Sequence, residues 1–175
     1  MAAYSYSENK IILEKRAVAL AREETVRDDG AFLEVTSFHL GDERYAVETG
    51  LIKEIIRLDG LTPLPCVPLF IAGIMNVRGR ILSLIDLKRL LELPGECADG
   101  SKVIILSAGS MEFGLIVDVI NGVLRVPVDE IQESMPMIEE KRSACFRGIT
   151  ADRMILLDGV GLLNDPRLII YEHVL

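Results

Sequence analysis

The strongest constraint on what this chain folds into is that its second half repeats its first. Lys102-Val103-Ile104-Ile105-Leu106-Ser107 reads as a strand, Gly109-Ser110-Met111-Glu112 as a turn, and Phe113-Gly114-Leu115-Ile116-Val117 falls where Tyr45-Ala46-Val47-Glu48-Thr49 fell. Val123-Leu124 repeats Ile55-Ile56, and Arg147-Gly148-Ile149 repeats Ala72-Gly73-Ile74. With one gap, the run Arg153 to Asp158 repeats Arg80 to Asp86, and Leu162-Leu163 repeats Leu90-Leu91. What recurs is the order of turn, strand, Gly and Asp, not only hydrophobicity. Each half alone is too small to hide its apolar face. Two such halves are expected to pack across a shared core and to leave a groove where they meet, a natural seat for a partner.

The segments are β in texture. Phe32 to Leu40 is rich in strand formers, Gly41-Asp42-Glu43-Arg44 reads as a turn, and Tyr45-Ala46-Val47 starts the return strand. Thr62-Pro63-Leu64-Pro65-Cys66-Val67-Pro68 has too few backbone donors for a central strand. Gly73 to Leu87 reads as strand, turn, strand, with a short helix running on to Leu91. Short strands with frequent turns suggest small barrels. The first 30 residues differ: Leu13, Ala17, Leu20 and Ala21 recur at helical spacing, predicting one amphipathic helix over about 8–27 that ends near Gly30. Its apolar stripe packs on its own domain or docks on a partner helix.

Composition narrows the function. A formal net charge of −8 argues against nucleic acid and against an anionic membrane surface. The longest uncharged run, Leu61 to Val77, holds three prolines, so no spanning helix is expected, and the N-terminus lacks a signal-peptide pattern. Cys66, Cys97 and Cys145 are an odd number at wide spacing and suggest reduced thiols rather than disulfides or a zinc cluster. His39 and His173 are the only histidines, and no Ser-His-Asp set or nucleophile elbow appears. Asp86 and Asp158 hold equivalent positions of the repeat, and a carboxylate pair can do acid–base work. The favoured reading makes each the N-cap of a short helix. No enzyme activity, metal or cofactor is expected.

Asn76-Val77-Arg78-Gly79 carries the functional signal. Asn76 and Gly79 tolerate turn dihedrals, which leaves Arg78 projecting from a rigid hairpin. An arginine presents a planar, multi-donor head suited to carboxylates or carbonyls of a partner. Glu54, in the preceding Leu51 to Ile56 segment, is placed to orient it or to read a basic group of a partner. A surface pair is worth only about 0–1 kcal/mol, so folding does not explain its presence.

The run Phe38 to Val47, then Ile55-Ile56, Thr62-Pro63-Leu64-Pro65, Phe70 to Ile81 with Gly-Ile-Met-Asn-Val-Arg-Gly-Arg-Ile at its centre, Ile85-Asp86-Leu87, and Phe113 to Val119, resembles the CheW family of chemotaxis coupling proteins over about residues 31–165. The resemblance implies a mainly β fold of two SH3-like five-stranded barrels around a joint core, a first about 31–95 and a second about 96–165. The helical extension 1–30 lies before it and the apolar tail 166–175 after it. It also implies a non-catalytic cytoplasmic adaptor that links the tips of methyl-accepting chemoreceptors to the CheA histidine kinase. Carried over by position, Ile52, Glu54, Gly73 and Arg78 would face the receptor, with Asn76 and Gly79 forming the turn. Gly73 would let a receptor helix approach closely. On that reading Gly73→Trp or Arg78→Ala spares the fold and weakens partner capture. Ser83 stands where the family commonly has proline, which would let that strand edge pair differently. Two alternatives remain: a CheW-like scaffold of a non-flagellar histidine-kinase pathway, and a small-molecule-binding double barrel.

Overall fold

The computed structural model describes residues 31–96, 100–133 and 145–168. The helix expected over 8–27, Cys97, His173 and residues 169–175 lie outside the described residues. The chain divides into residues 1–31 and 32–175, and the fold concerns the second unit. Its strands are β1 (Phe32–Leu40), β2 (Glu43–Glu48), β3 (Ile52–Arg57), β4 (Ile71–Val77), β5 (Arg80–Asp86), β6 (Lys102–Ala108), β7 (Met111–Val117), β8 (Val119–Pro127), β9 (Phe146–Ile149) and β10 (Ile155–Leu157). Two short helices, α1 (Leu87–Leu90) and α2 (Gly159–Leu163), follow β5 and β10.

The strands form two five-stranded sheets, β8-β1-β2-β10-β9 and β3-β6-β7-β5-β4. Shifting every strand number by five turns one order into the other. The repeat reaches the irregularities. One register shift leaves Lys53 as the extra residue of β3, and another leaves Asn121 as the extra residue of β8. The bulge at Ala72 in β4 is matched at Arg147 in β9. In each sheet the chain beyond one edge strand reaches the opposite edge: Thr62 pairs with Ile74, and Gln132 with Ile149.

The sheets do not divide where the two halves of the chain do, so a cut near residue 95 separates neither. The first sheet takes β1 and β2 from one half and β8, β9 and β10 from the other. The reason is local. Only Asp118 lies between β7 and β8, and a single residue cannot close a hairpin, whose tightest common loop has two. The chain therefore runs on into the other sheet. Asp118 anchors that crossing: its amide donates to the His39 carbonyl at 3.2 Å, and its carboxylate accepts from the Gly41 amide at 2.7 Å. The nearly buried Lys88 of α1 adds an ion pair at 2.8 Å.

Among the described residues burial sorts into three clusters. Leu82, Leu84, Val103, Ile105 and Ile116 fill the second sheet's inner face, and Val35, Ala46, Val126, Met154 and Leu156 fill the first's. The largest cluster among the described residues, 19 buried side chains, draws on both sheets and both helices, with Phe38, Tyr45, Ile85, Ile104, Leu115 and Leu162 among them. Each fully buried large aliphatic contributes about 1.5–3 kcal/mol, so the shared core outweighs either inner one.

Two local expectations change. Glu43 and Arg44 are not turn residues: they pair with Leu40 and His39, and Gly41-Asp42 alone makes the turn. Met111 and Glu112 likewise pair with Ala108 and Ser107. Two-residue loops match the twist of the flanking strands, so pairing extends to the loop. Ser83 is not on an edge: it faces Ile74, and β5 lies between β4 and β7. Asp86 and Asp158 are helix N-caps, accepting from the amides of Arg89 at 3.2 Å and Gly161 at 2.9 Å.

Candidate functional site: the arginine turn and its charge cluster

The β4–β5 hairpin is closed by Arg78 and Gly79, with φ of +52° and +85°. Two consecutive positive φ values give the primed turn that strand twist demands, and Gly79 takes its value without steric cost. Asn76 locks the loop, its Oδ1 accepting from the Gly79 amide at 2.8 Å. The Arg78 side chain projects from this turn at 79% exposure.

Arg78 belongs to a chain of charges. Its guanidinium lies 3.3 Å from Glu54 on β3. The same Glu54 carboxylate meets Arg80 at 3.2 Å. Arg80 also pairs with Glu112 of β7, and Glu112 accepts from Lys53 at 2.9 Å. Burial works to raise the Glu112 carboxyl, but the hydrogen bonds and charges of Lys53 and Arg80 outweigh it and hold the group below the usual carboxylate range.

The structure brings Glu54, Asn76, Arg78 and Gly79 together. Ile52 is half-buried beside them, packed against the shared core. Gly73 stands apart in role. A Cβ there would lie 2.2 Å from the Thr62 carbonyl oxygen, and its φ is +149°. Its smallness admits the chain's own Thr62 segment, where Thr62 and Ile74 exchange backbone bonds of 2.8 and 2.9 Å, so a bulky residue there strikes the fold itself. Sequence reasoning missed Arg80, Glu112 and Lys53. Arg80 adjoins the turn and was within reach, but Glu112 arrives through the parallel pairing of β5 with β7, which no local pattern announces.

A cleft of about 220 Å³ lies elsewhere in the second sheet, lined by Leu58, Leu61, Ala72, Arg89 and Glu96 among others. Among the described residues no group of three or more His, Cys, Asp or Glu is placed to hold a metal ion. No helix among them is long and apolar enough to cross a membrane.

Twin five-stranded sheets related by an internal repeat and sharing one core define a duplicated, mainly β protein. The chain belongs to the CheW family: the CheW-like domain model matches residues 34–167. It is 27% identical to the chemotaxis protein CheW of Thermotoga maritima, over 86% of this chain and 90% of that one. It is 30% identical to CheW of Bacillus subtilis, over 69% and 78%. The crystal structure of the scaffolding protein TtCheW from Thermoanaerobacter tengcongensis superposes with a TM-score of 0.65 at 28% identity, covering 73% of this chain and 89% of that one. The chain is a chemotaxis scaffold of this family.

Proposed function

We propose that this chain is a non-catalytic adaptor coupling the cytoplasmic tips of methyl-accepting chemoreceptors to a CheA-type histidine kinase, at receptor arrays on the inner face of the membrane. Each sheet acts as an SH3-like barrel half, closed by the Thr62–Ile74 and Gln132–Ile149 pairs. A receptor helical hairpin lies along the margin of the shared core, its apolar stripe against Ile52 and its polar flank against Glu54 and Arg78. Asn76 and Gly79 contribute by holding the turn. This is a helix-in-groove mode of recognition.

The observation that carries this reading is the 79% exposure of Arg78 on a turn locked by Asn76. An exposed ion pair adds at most about 1 kcal/mol to stability, so the arginine is not there for folding. Arg78→Ala is expected to keep the melting temperature of the parent and to lose co-assembly with receptor hairpin and kinase. Undiminished co-assembly by a folded Arg78→Ala protein sinks the assignment of this site.

A further inference from the structure

The charge chain around Arg78 is unbalanced. Lys53, Arg78 and Arg80 bring three positive charges against the two carboxylates of Glu54 and Glu112. The two acids are the better buried, at 17% and 18% exposure, and each is shared between two cations. Arg78 is the most exposed member, and among the described residues its ion pair is with Glu54 alone. Glu54 is already partly neutralised by Arg80, so the surplus positive charge falls on Arg78. On a chain of net charge −8 this cluster is locally cationic, and a guanidinium with donors facing solvent fits a carboxylate in a two-pronged contact.

We infer that Arg78 reads a carboxylate on the partner helix, and that Arg80 and Glu112 set how far its charge is available, making them positioning residues of the docking site. The inference rests on the receptor-docking reading above and deepens it by naming the chemistry recognised. Its consequence is two effects of opposite sign. Neutralising Glu112 releases Arg80 to compete for Glu54, which frees Arg78 and adds to the positive excess. Neutralising Arg80 leaves Glu54 to Arg78 alone and cancels the excess.

The test uses the full chain and a soluble chemoreceptor cytoplasmic hairpin, in its natural form and with the tip carboxylates changed to amides. Affinity is measured by titration calorimetry from low to moderate salt. The natural hairpin is expected to bind the parent chain more tightly than the amide form, with an advantage that shrinks as salt screens the contact. Glu112→Gln is expected to tighten binding roughly threefold at low salt, and Arg80→Gln to weaken it by about as much, from the size of single exposed charge effects. Both variants should remain folded and melt cooperatively. If both weaken binding, or neither changes it, while Arg78→Ala still abolishes it, the charge-setting role is overturned and the docking site stands. Equal binding of acidic and amide hairpins overturns the carboxylate reading in the same way. If Arg78→Ala binds as well as the parent, the docking site itself falls and this inference with it.

Discussion

At Gly73 a single methyl group is enough to set two backbones in conflict. The added carbon would sit 2.2 Å from the Thr62 oxygen and 2.8 Å from its carbonyl carbon, both backbone atoms without rotamers to give way. Its repeat mate Gly148 faces the Gln132 oxygen at 2.7 Å, without the positive φ. Gly73→Ala is therefore expected to cost more than about 2 kcal/mol, strain and overpacking together, and Gly148→Ala less. Urea denaturation of both variants checks the order. The sequence marked Gly73 as important through its place in the repeat and the family pattern. It did not show the Thr62 backbone, because what a missing side chain makes room for within the chain is known only once the fold has brought something there. The thiols show the same limit: Cys66 is exposed and Cys145 buried, a difference that spacing alone does not carry.

At the scale of elements, local chemistry was readable wherever a few adjacent residues decide the outcome. Asp86 and Asp158 cap α1 and α2 because a short acceptor three residues ahead of an amide suffices. Replacing each by Ala is expected to cost about 0.5–2 kcal/mol. The double variant should lose about the sum, since each carboxylate caps the amide of its own helix. A double-mutant cycle in denaturant tests this. The strands were legible too, but their ends were placed two residues short at both hairpin turns, where polar residues continue the ladder. Between elements the charge cluster makes stability depend on acid. Glu112 titrates lower in the folded chain than in the unfolded one, so its contribution is complete above the ordinary carboxylate range. It is lost as pH falls through the lowered folded value. Asp152 behaves alike, held down first by its bond from Thr150 and further by Arg44, against the opposing effect of burial. Stability measured from neutral to acid pH is expected to fall below that range, and the fall should be shallower in Glu112→Gln than in the parent.

At the scale of the molecule, the two halves are exchanged rather than juxtaposed. Each sheet is built from two strands of one half and three of the other, and the largest core cluster lies between them. Neither half of the chain then holds a complete sheet. Expressed separately, residues 1–95 and 96–175 should each lack β-type circular dichroism and a cooperative melt, while their mixture regains both. A folded fragment 1–95 would show that the half is a unit after all.

Sequence alone determined the repeat, the strand-rich class, the helix caps and the arginine turn, because each rests on contacts within a few residues or on periodicity. It also carried the family pattern, since Arg78 and its flanking strand residues are contiguous. Only the tertiary structure decided which strands share a sheet, which backbone Gly73 admits, and that Glu112 completes the cluster. Those depend on pairings between segments tens of residues apart, and a one-residue link at Asp118 sends the chain across to the other sheet. Alternation of side chains says that a strand has a buried face; it does not say which strand lies beside it.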